Sequence, residues 1–129
     1  MRYLIDTPCW LWLQSCPEKL SEPTLALLAN PQNELLLSAA SVWEIAIAYA
    51  LGKLALPLPP EEYVPSRMQQ SATSPLPVTQ LHALRAASLP RHHDDPFDRL
   101  LIAQAKSENV AIVTLDRAFH AYDVAIQGS

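Results

Sequence analysis

Several features that identify common classes of protein are scarce in this sequence. It contains two cysteines, Cys9 and Cys16, whose number and spacing suit neither a disulfide framework nor a zinc site with paired ligands. Aromatic residues make up 7% of the chain, which is few for a protein that binds single-stranded nucleic acid by stacking its bases. We therefore expect both cysteines to be buried or half-buried thiols.

Positive charge is also in short supply. The chain has 9 Lys and Arg against 13 Asp and Glu, so its formal net charge is -4. This balance argues against a basic module that holds nucleic acid by phosphate neutralisation alone. It does not exclude a nuclease, because metal ions can supply positive charge at the site itself.

The sequence also lacks long apolar segments and recognisable targeting signals. No apolar run reaches the length of about 18 residues that a membrane span requires, and no secretory signal is recognisable. We therefore expect a cytoplasmic protein that makes no use of a membrane. Its 129 residues, 50% of them hydrophobic, suit one domain over residues 1–129 with a sizeable core.

Short apolar segments alternate with longer segments of helical pattern. The predicted strands lie at residues 2–5, 34–37, 110–114 and 124–126, with a further extended segment at 74–78. The alternation predicts an α/β fold with a mainly parallel sheet. In such sheets the functional site lies beyond the carboxyl ends of the strands.

The helices are predicted from capping residues and apolar periodicity. Thr7 and Pro8 suit the N-cap and the first position of one helix, and residues 38–52 carry the clearest helical pattern. Four prolines within residues 55–66 predict a connector with a short or broken helix. Further helices are predicted at residues 21–30, 79–88 and 96–106, with a short helix or turn at 117–122.

Two acids follow predicted strands directly. Asp6 ends the first apolar run, and Asp116 comes just after the strand at residues 110–114. Each has an alternative role as a turn or capping residue, for which aspartate is well suited. Thr114 precedes Asp116 by two residues, and its hydroxyl could hydrogen-bond a ligand, a water or a neighbouring carboxylate.

Further acids lie on predicted helices. Glu44 is the one acid in an otherwise almost wholly apolar helix, where it either completes a capping box with Ser41 or points into a cleft. Asp95 suits the N-cap of the helix that follows it, which leaves Asp98 for chemistry. Clustered carboxylates repel one another unless a cation lies between them. Mg²⁺ or Mn²⁺ suits oxygen ligands, and metal-assisted phosphodiester hydrolysis is the natural chemistry of such a site.

Four segments together resemble one protein family. They are "YLIDT", "SAASVWEIAIAYALGKL", "DPFDRLLIAQA" and "IVTLDRAFHAYDV". In this order they resemble the PIN domain family, and more narrowly the VapC-type ribonuclease toxins of bacterial type II toxin–antitoxin pairs. The resemblance extends over nearly the whole chain. It implies a three-layer PIN-like fold in which helices flank a mainly parallel central sheet.

The resemblance also implies which residues form the site. The acidic set around Mg²⁺, or alternatively Mn²⁺, is Asp6, Glu44, Asp98 and Asp116. Asp6 and Asp98 are expected to bind the ion directly, and Asp116 directly or through water. Thr114 matches the hydroxyl residue that precedes the last acid in the family, and Asp95 acts through water or only as a cap.

By the same resemblance, the activity is endoribonuclease cleavage of single-stranded or loop RNA. The implied partners are the RNA substrate, a second copy in a homodimer and a cognate antitoxin that covers the site. Pro8 and Cys9 depart from the polar residue that relatives often have there, which concerns substrate contacts more than metal binding. The alternative is a degenerate PIN module that binds a partner without catalysis, but such a module would be expected to have lost an acid.

Basic and histidine side chains flank the acids. The candidates for contact with RNA are Arg91, His92, Arg99 and Arg117. Arg99 and Arg117 could instead pair with the nearby carboxylates. We expect both loop histidines, His92 and His93, to be solvated because their surroundings are polar.

Overall fold

A five-stranded parallel sheet forms the centre of the molecule. The computed structural model describes residues 1–128. Its strands are β1 (Arg2–Ile5), β2 (Glu34–Ser38), β3 (Thr73–Leu76), β4 (Ala111–Val113) and β5 (Ile126–Gln127). They are arranged in the order β3-β2-β1-β4-β5, and every neighbouring pair is parallel. The predicted α/β fold with a parallel sheet is therefore confirmed.

Helices connect these strands. Within residues 1–128 they are α1 (Thr7–Ser15), α2 (Glu22–Ala29), α3 (Ala39–Ala50), α4 (Pro60–Gln70), α5 (Gln80–Ser88) and α6 (Pro96–Glu108). Two short 3₁₀ segments, Pro17–Lys19 and Arg117–Ala121, complete the secondary structure. Residues 55–59 of the proline-rich region form the predicted connector. The helix α4 then continues past Pro65 without a break, where the sequence predicts a short or broken helix.

The core has two layers, one on each face of the sheet. Along β1, Ile5 packs into one apolar cluster and Leu4 into the other, because successive side chains of a strand point to opposite faces. The first cluster includes Trp10 of α1, and the second includes Ile102 of α6. Two helical layers with the sheet between them make the three-layer arrangement that the resemblance implies.

The structure identifies the residues that cap α1 and α3. Asp6, and not Thr7, is the N-cap of α1, where its side chain accepts a hydrogen bond from the Cys9 amide. Ser38 caps α3, which places Ser41 inside the helix and rules out a capping box with Glu44. The helix α1 therefore begins one residue earlier than a cap at Thr7 would place it, whereas α3 begins within the predicted range 38–52. In both helices a side chain at the end of the preceding strand accepts a backbone amide of the first turn.

The strand order makes β1 the central strand, so its carboxyl end lies in the middle of the row of strand ends. The chain leaves β1 towards β2 on one side, while β4 pairs with β1 on the other. The order of strands thus reverses between β1 and β4, and such a point opens a crevice at the carboxyl ends of the strands. The backbone amide of Asp6 donates to the Val113 carbonyl at 3.0 Å, which holds the two strand ends together.

The remaining expectations concern thiols and membranes. Cys9 is buried, Cys16 is partly exposed, and neither forms a disulfide, as expected. Within residues 1–128, no helix combines the length and the apolar character needed to cross a bilayer.

Candidate active site

Asp6 lies buried at the carboxyl end of β1, with 3% of its surface exposed. One carboxylate oxygen accepts the Cys9 amide at 2.9 Å, and the other accepts the Thr114 hydroxyl at 2.5 Å. Burial raises the pKa of Asp6 above its ordinary value, and the charge of Asp116 raises it further, although the hydrogen bonds oppose this shift. Asp6 therefore serves both as a cap for α1 and as a carboxylate at the crevice.

Thr114 and Asp116 approach from the end of β4. The buried Thr114 hydroxyl donates to Asp6 and accepts the Asp116 amide at 3.0 Å, so it links the two acids. Asp116 is exposed, and its carboxylate also accepts the Ala118 amide at 2.9 Å at the start of the 3₁₀ segment. The turn role considered for Asp116 is thus present, but it occupies only one of the two carboxylate oxygens.

Glu44 reaches the crevice from the second turn of α3. Its carboxylate accepts the Thr7 hydroxyl at 2.7 Å, across 37 residues of sequence. Burial raises the pKa of Glu44, and the charges of Asp95 and Asp6 raise it further, against the effect of the Thr7 hydrogen bond. Since Glu44 has no capping role, the cleft-facing alternative is the one that agrees with the structure.

Asp95 and Asp98 lie at the start of α6. Asp95 is the N-cap and accepts the Phe97 amide at 2.9 Å, as predicted. Asp98 lies in the first turn, and its pKa is raised to about 6, mainly by burial and also by the charges of Asp95 and Glu44. A hydrogen bond from His93 opposes this shift without cancelling it.

His93 belongs to this group of acids, contrary to the expectation of a solvated side chain. Its Nε2 lies 2.7 Å from Asp98 Oδ2, and 24% of its side chain is exposed. The hydrogen bond to Asp98 raises the pKa of His93. The neighbouring aspartates in the sequence are a signal for this role, but they do not distinguish His93 from the adjacent His92. Only the tertiary structure shows that His93 is the one that contacts the acids.

The structure brings the predicted acids to one crevice. Their charges act on one another: Asp116 raises the pKa of Asp6, Asp6 raises that of Glu44, and Glu44 raises that of Asp98. One ligand atom from each of His93, Asp98 and Asp116 lies within 4.8 Å of the other two. Asp6 is outside this close group, with both carboxylate oxygens engaged by Cys9 and Thr114.

These donors fit a divalent cation. Carboxylate oxygens are the ligands that Mg²⁺ and Mn²⁺ prefer, and an ion would relieve the mutual repulsion that raises the carboxyl pKa values. The group also has an open side, because Asp116 is exposed. A bound ion could therefore keep positions for water or substrate.

Arg99 is not available for contact with RNA. The side chain is buried, and its guanidinium donates to the Tyr122 hydroxyl and to several backbone carbonyls. These carbonyls belong to Ala86, Leu89, Pro90 and His93. Within residues 1–128 Arg99 makes no ion pair with a carboxylate. Its hydrogen bonds instead stabilise the loop between α5 and α6.

The other basic candidates remain at the surface. Arg91, His92 and Arg117 are exposed. Arg91 lies 4.0 Å from Asp94, in a pair so open to solvent that it contributes little to stability. The His92 ring meets the Tyr122 ring edge-on, with 5.1 Å between the centroids.

We expect Arg99→Lys to lower the free energy of unfolding by about 2 kcal/mol, because one lysine ammonium cannot replace the planar guanidinium that donates to four backbone carbonyls from a buried position. Thermal and urea unfolding, followed by circular dichroism, measure this loss. Arg91→Lys is the matched control and should leave stability unchanged. Equal stability of the two variants would contradict a structural role for Arg99.

Comparisons with known proteins give a consistent result. A family model described as "PIN domain" matches residues 3–125. Ribonuclease VapC16 of Mycobacterium tuberculosis (strain ATCC 25618 / H37Rv) is 54% identical over 66 residues, which are 50% of this chain and 47% of that protein. The chain thus matches about half the length of this curated relative.

Solved structures share the fold at lower identity. VapBC2 from Rickettsia felis, bound to a DNA fragment from its promoter, superposes with a TM-score of 0.73 at 17% identity and 100% coverage of both chains. A toxin–antitoxin complex from Klebsiella pneumoniae superposes with a TM-score of 0.65 at 21% identity, covering 97% of this chain and 95% of that one. At these identities the likeness concerns the fold alone.

Proposed function

Since the chain belongs to the PIN domain family, we propose that it is a metal-dependent endoribonuclease that hydrolyses phosphodiester bonds in RNA. The observation that carries this proposal is the convergence of Asp6, Glu44, Asp98 and Asp116 on one crevice beyond β1 and β4. The similarity to a protein named as a ribonuclease supports the choice of RNA as substrate. We propose that residues 1–129 act as one domain.

In this proposal Asp6, Asp98 and Asp116 hold Mg²⁺ or Mn²⁺, with Asp6 acting from its more buried position. When bound, such an ion activates water and stabilises the charge that develops on the phosphate and the leaving group. Glu44 orients the attacking water or accepts its proton, and Thr7 fixes the position of the carboxylate. A carboxyl group with a raised pKa suits a proton acceptor near neutral pH.

Thr114 and Asp95 support these groups. Thr114 fixes the carboxylate of Asp6 through its hydroxyl, and Asp95 caps α6, which orients Asp98. Arg91, His92 and Arg117 stay candidates for contact with the RNA backbone, since all three are exposed.

We further propose a cytoplasmic toxin that is inhibited by a cognate antitoxin and acts as a homodimer. The toxin–antitoxin complex from Klebsiella pneumoniae, which has the same fold, supports the antitoxin as a partner. An acidic crevice also suits a basic side chain supplied by such an antitoxin. Exposed apolar side chains, among them Trp43 at 63% and Leu84 at 70%, support contacts with another chain.

Metal removal tests the proposed reaction. Purified protein should cleave a single-stranded RNA in Mg²⁺, lose this activity in EDTA and recover it when Mg²⁺ is returned in excess. Attack by water should leave a 3′-hydroxyl and a 5′-phosphate, which end-labelling of the products identifies. Cleavage that continues in EDTA would rule out the metal mechanism. Binding of an antitoxin without any cleavage would favour the degenerate PIN module.

A further inference from the structure

We propose that His93 is a direct ligand of the metal ion, and that it makes the site favour Mn²⁺ over Mg²⁺. This inference rests on the proposed metal site and adds a nitrogen donor to its carboxylates. It is carried by the position of the His93 imidazole among Asp98 and Asp116, and by the contacts that hold its loop.

The imidazole stands where a metal ligand would be needed. Its Nε2 lies 2.7 Å from Asp98 Oδ2, and one of its ring nitrogens lies within 4.8 Å of a carboxylate oxygen of Asp116. Two adjacent ligands of an octahedral ion with bonds of about 2.1 Å are separated by about 3 Å. Very little movement would therefore turn the hydrogen-bonded pair of His93 and Asp98 into two ligands of one ion.

The position of His93 is determined by the fold. Buried Arg99 donates to the His93 carbonyl at 3.3 Å and to the Pro90 carbonyl at 3.0 Å, which fixes the loop on both sides of His92. On the other side, Asp95 ends the loop by capping α6. The loop thus presents His93 to the acids, while the exposed His92 packs against Tyr122.

A nitrogen ligand changes which ion the site prefers. Mg²⁺ is a hard cation that takes oxygen ligands, whereas imidazole is a common ligand of the later first-row transition metals such as Fe, Ni and Zn. Mn²⁺ is the transition ion that carboxylate sites also accept, so it is the suitable probe for a site with both kinds of donor. If His93 only positioned Asp98, it would not make the site selective between Mn²⁺ and Mg²⁺. Removal of the His93 side chain would then weaken the binding of both ions to the same extent.

The test is spectroscopic and uses the full chain. Mn²⁺ binding is measured from the electron paramagnetic resonance signal of the free ion, and Mg²⁺ binding by competition. Pulsed measurements on the bound Mn²⁺ detect modulation from a coordinated ¹⁴N nucleus. The variants are His93→Gln and, as the matched neighbour in the same loop, His92→Gln, with circular dichroism confirming that both are folded.

We expect ¹⁴N modulation in the unaltered protein and in His92→Gln, and none in His93→Gln. Mn²⁺ affinity should fall about 10-fold or more in His93→Gln, and Mg²⁺ affinity by a smaller factor. Absence of ¹⁴N modulation in the unaltered protein, or its persistence in His93→Gln, would overturn the inference. RNA cleavage that needs Mg²⁺ but occurs without nitrogen ligation would leave the proposed function standing, whereas absence of any Mn²⁺ or Mg²⁺ binding would reject both.

Discussion

Asp6→Asn is expected to lower the rate of RNA cleavage by about 10³-fold or more, since metal assistance contributes several kcal/mol and each tenfold in rate corresponds to about 1.4 kcal/mol. The change removes the negative charge from the most buried acid of the site. It leaves the size of the side chain nearly unchanged, so a loss of rate would report on chemistry and not on packing.

The Asp6→Asn protein should remain folded. An asparagine oxygen can still accept the Cys9 amide, and its amide group can donate to the Thr114 hydroxyl. Burial disfavours the charged form of Asp6, so a neutral side chain should leave the melting temperature at neutral pH unchanged or higher. Such a trade of stability for activity is common at functional sites.

Cleavage of a fluorogenic RNA in Mg²⁺, together with thermal unfolding, measures both effects. Asp94→Asn is the matched control, because Asp94 is a loop acid whose side chain is 94% exposed. The control should retain the activity of the unaltered protein. If Asp6→Asn cleaved RNA as fast as Asp94→Asn, the metal site would have to be assigned to other residues.

The second large effect concerns stability and pH in the absence of metal. The folded-state pKa of Asp98 is raised from 3.8 to about 6, so between these pH values the folded protein binds more protons than the unfolded chain. The free energy of unfolding should therefore decrease as pH rises through this window, by up to about 3 kcal/mol from this carboxyl. Asp6 and Glu44, whose pKa values are also raised, act in the same direction.

His93 should extend the decrease to higher pH. Its pKa is raised above 6.5 by Asp98, so the stabilisation from its charged form is present below that value and is lost as pH rises through the folded-state pKa. Added Mg²⁺ should oppose the loss near neutral pH, because it binds the deprotonated carboxylates of the folded protein.

Urea unfolding in EDTA from pH 4 to pH 8, compared between the unaltered protein and Asp98→Asn, isolates these contributions. The variant lacks the Asp98 carboxyl and the charged partner of His93, so its stability should decrease less with pH. Its stability should also respond less to Mg²⁺ at pH 7. Parallel curves for the two proteins, with and without Mg²⁺, would contradict a strained acidic site.

Much of the fold and of the acidic set was predictable because the signals are local. Apolar runs that end at Asp6 and near Thr114 predicted strands and a site at their carboxyl ends, and the structure has strands at both places. The cap at Asp95 was also predictable, because a cap and its helix are neighbours in the chain. Sequence alone places the α1 cap one residue too late, at Thr7, because both Asp6 and Thr7 are good capping residues.

By itself the sequence determined the order of strands and helices, the excess of acids at strand ends and the resemblance to PIN domains, because each of these depends on residue types and short spacings. Tertiary structure decided which side chains meet. The hydrogen bond between Thr114 and Asp6 spans 108 residues, and that between Thr7 and Glu44 spans 37. It also buried Arg99 and turned His93, but not His92, towards the acids. These contacts and burials depend on how the helices and the sheet pack against one another, and no local pattern of residues predicts them.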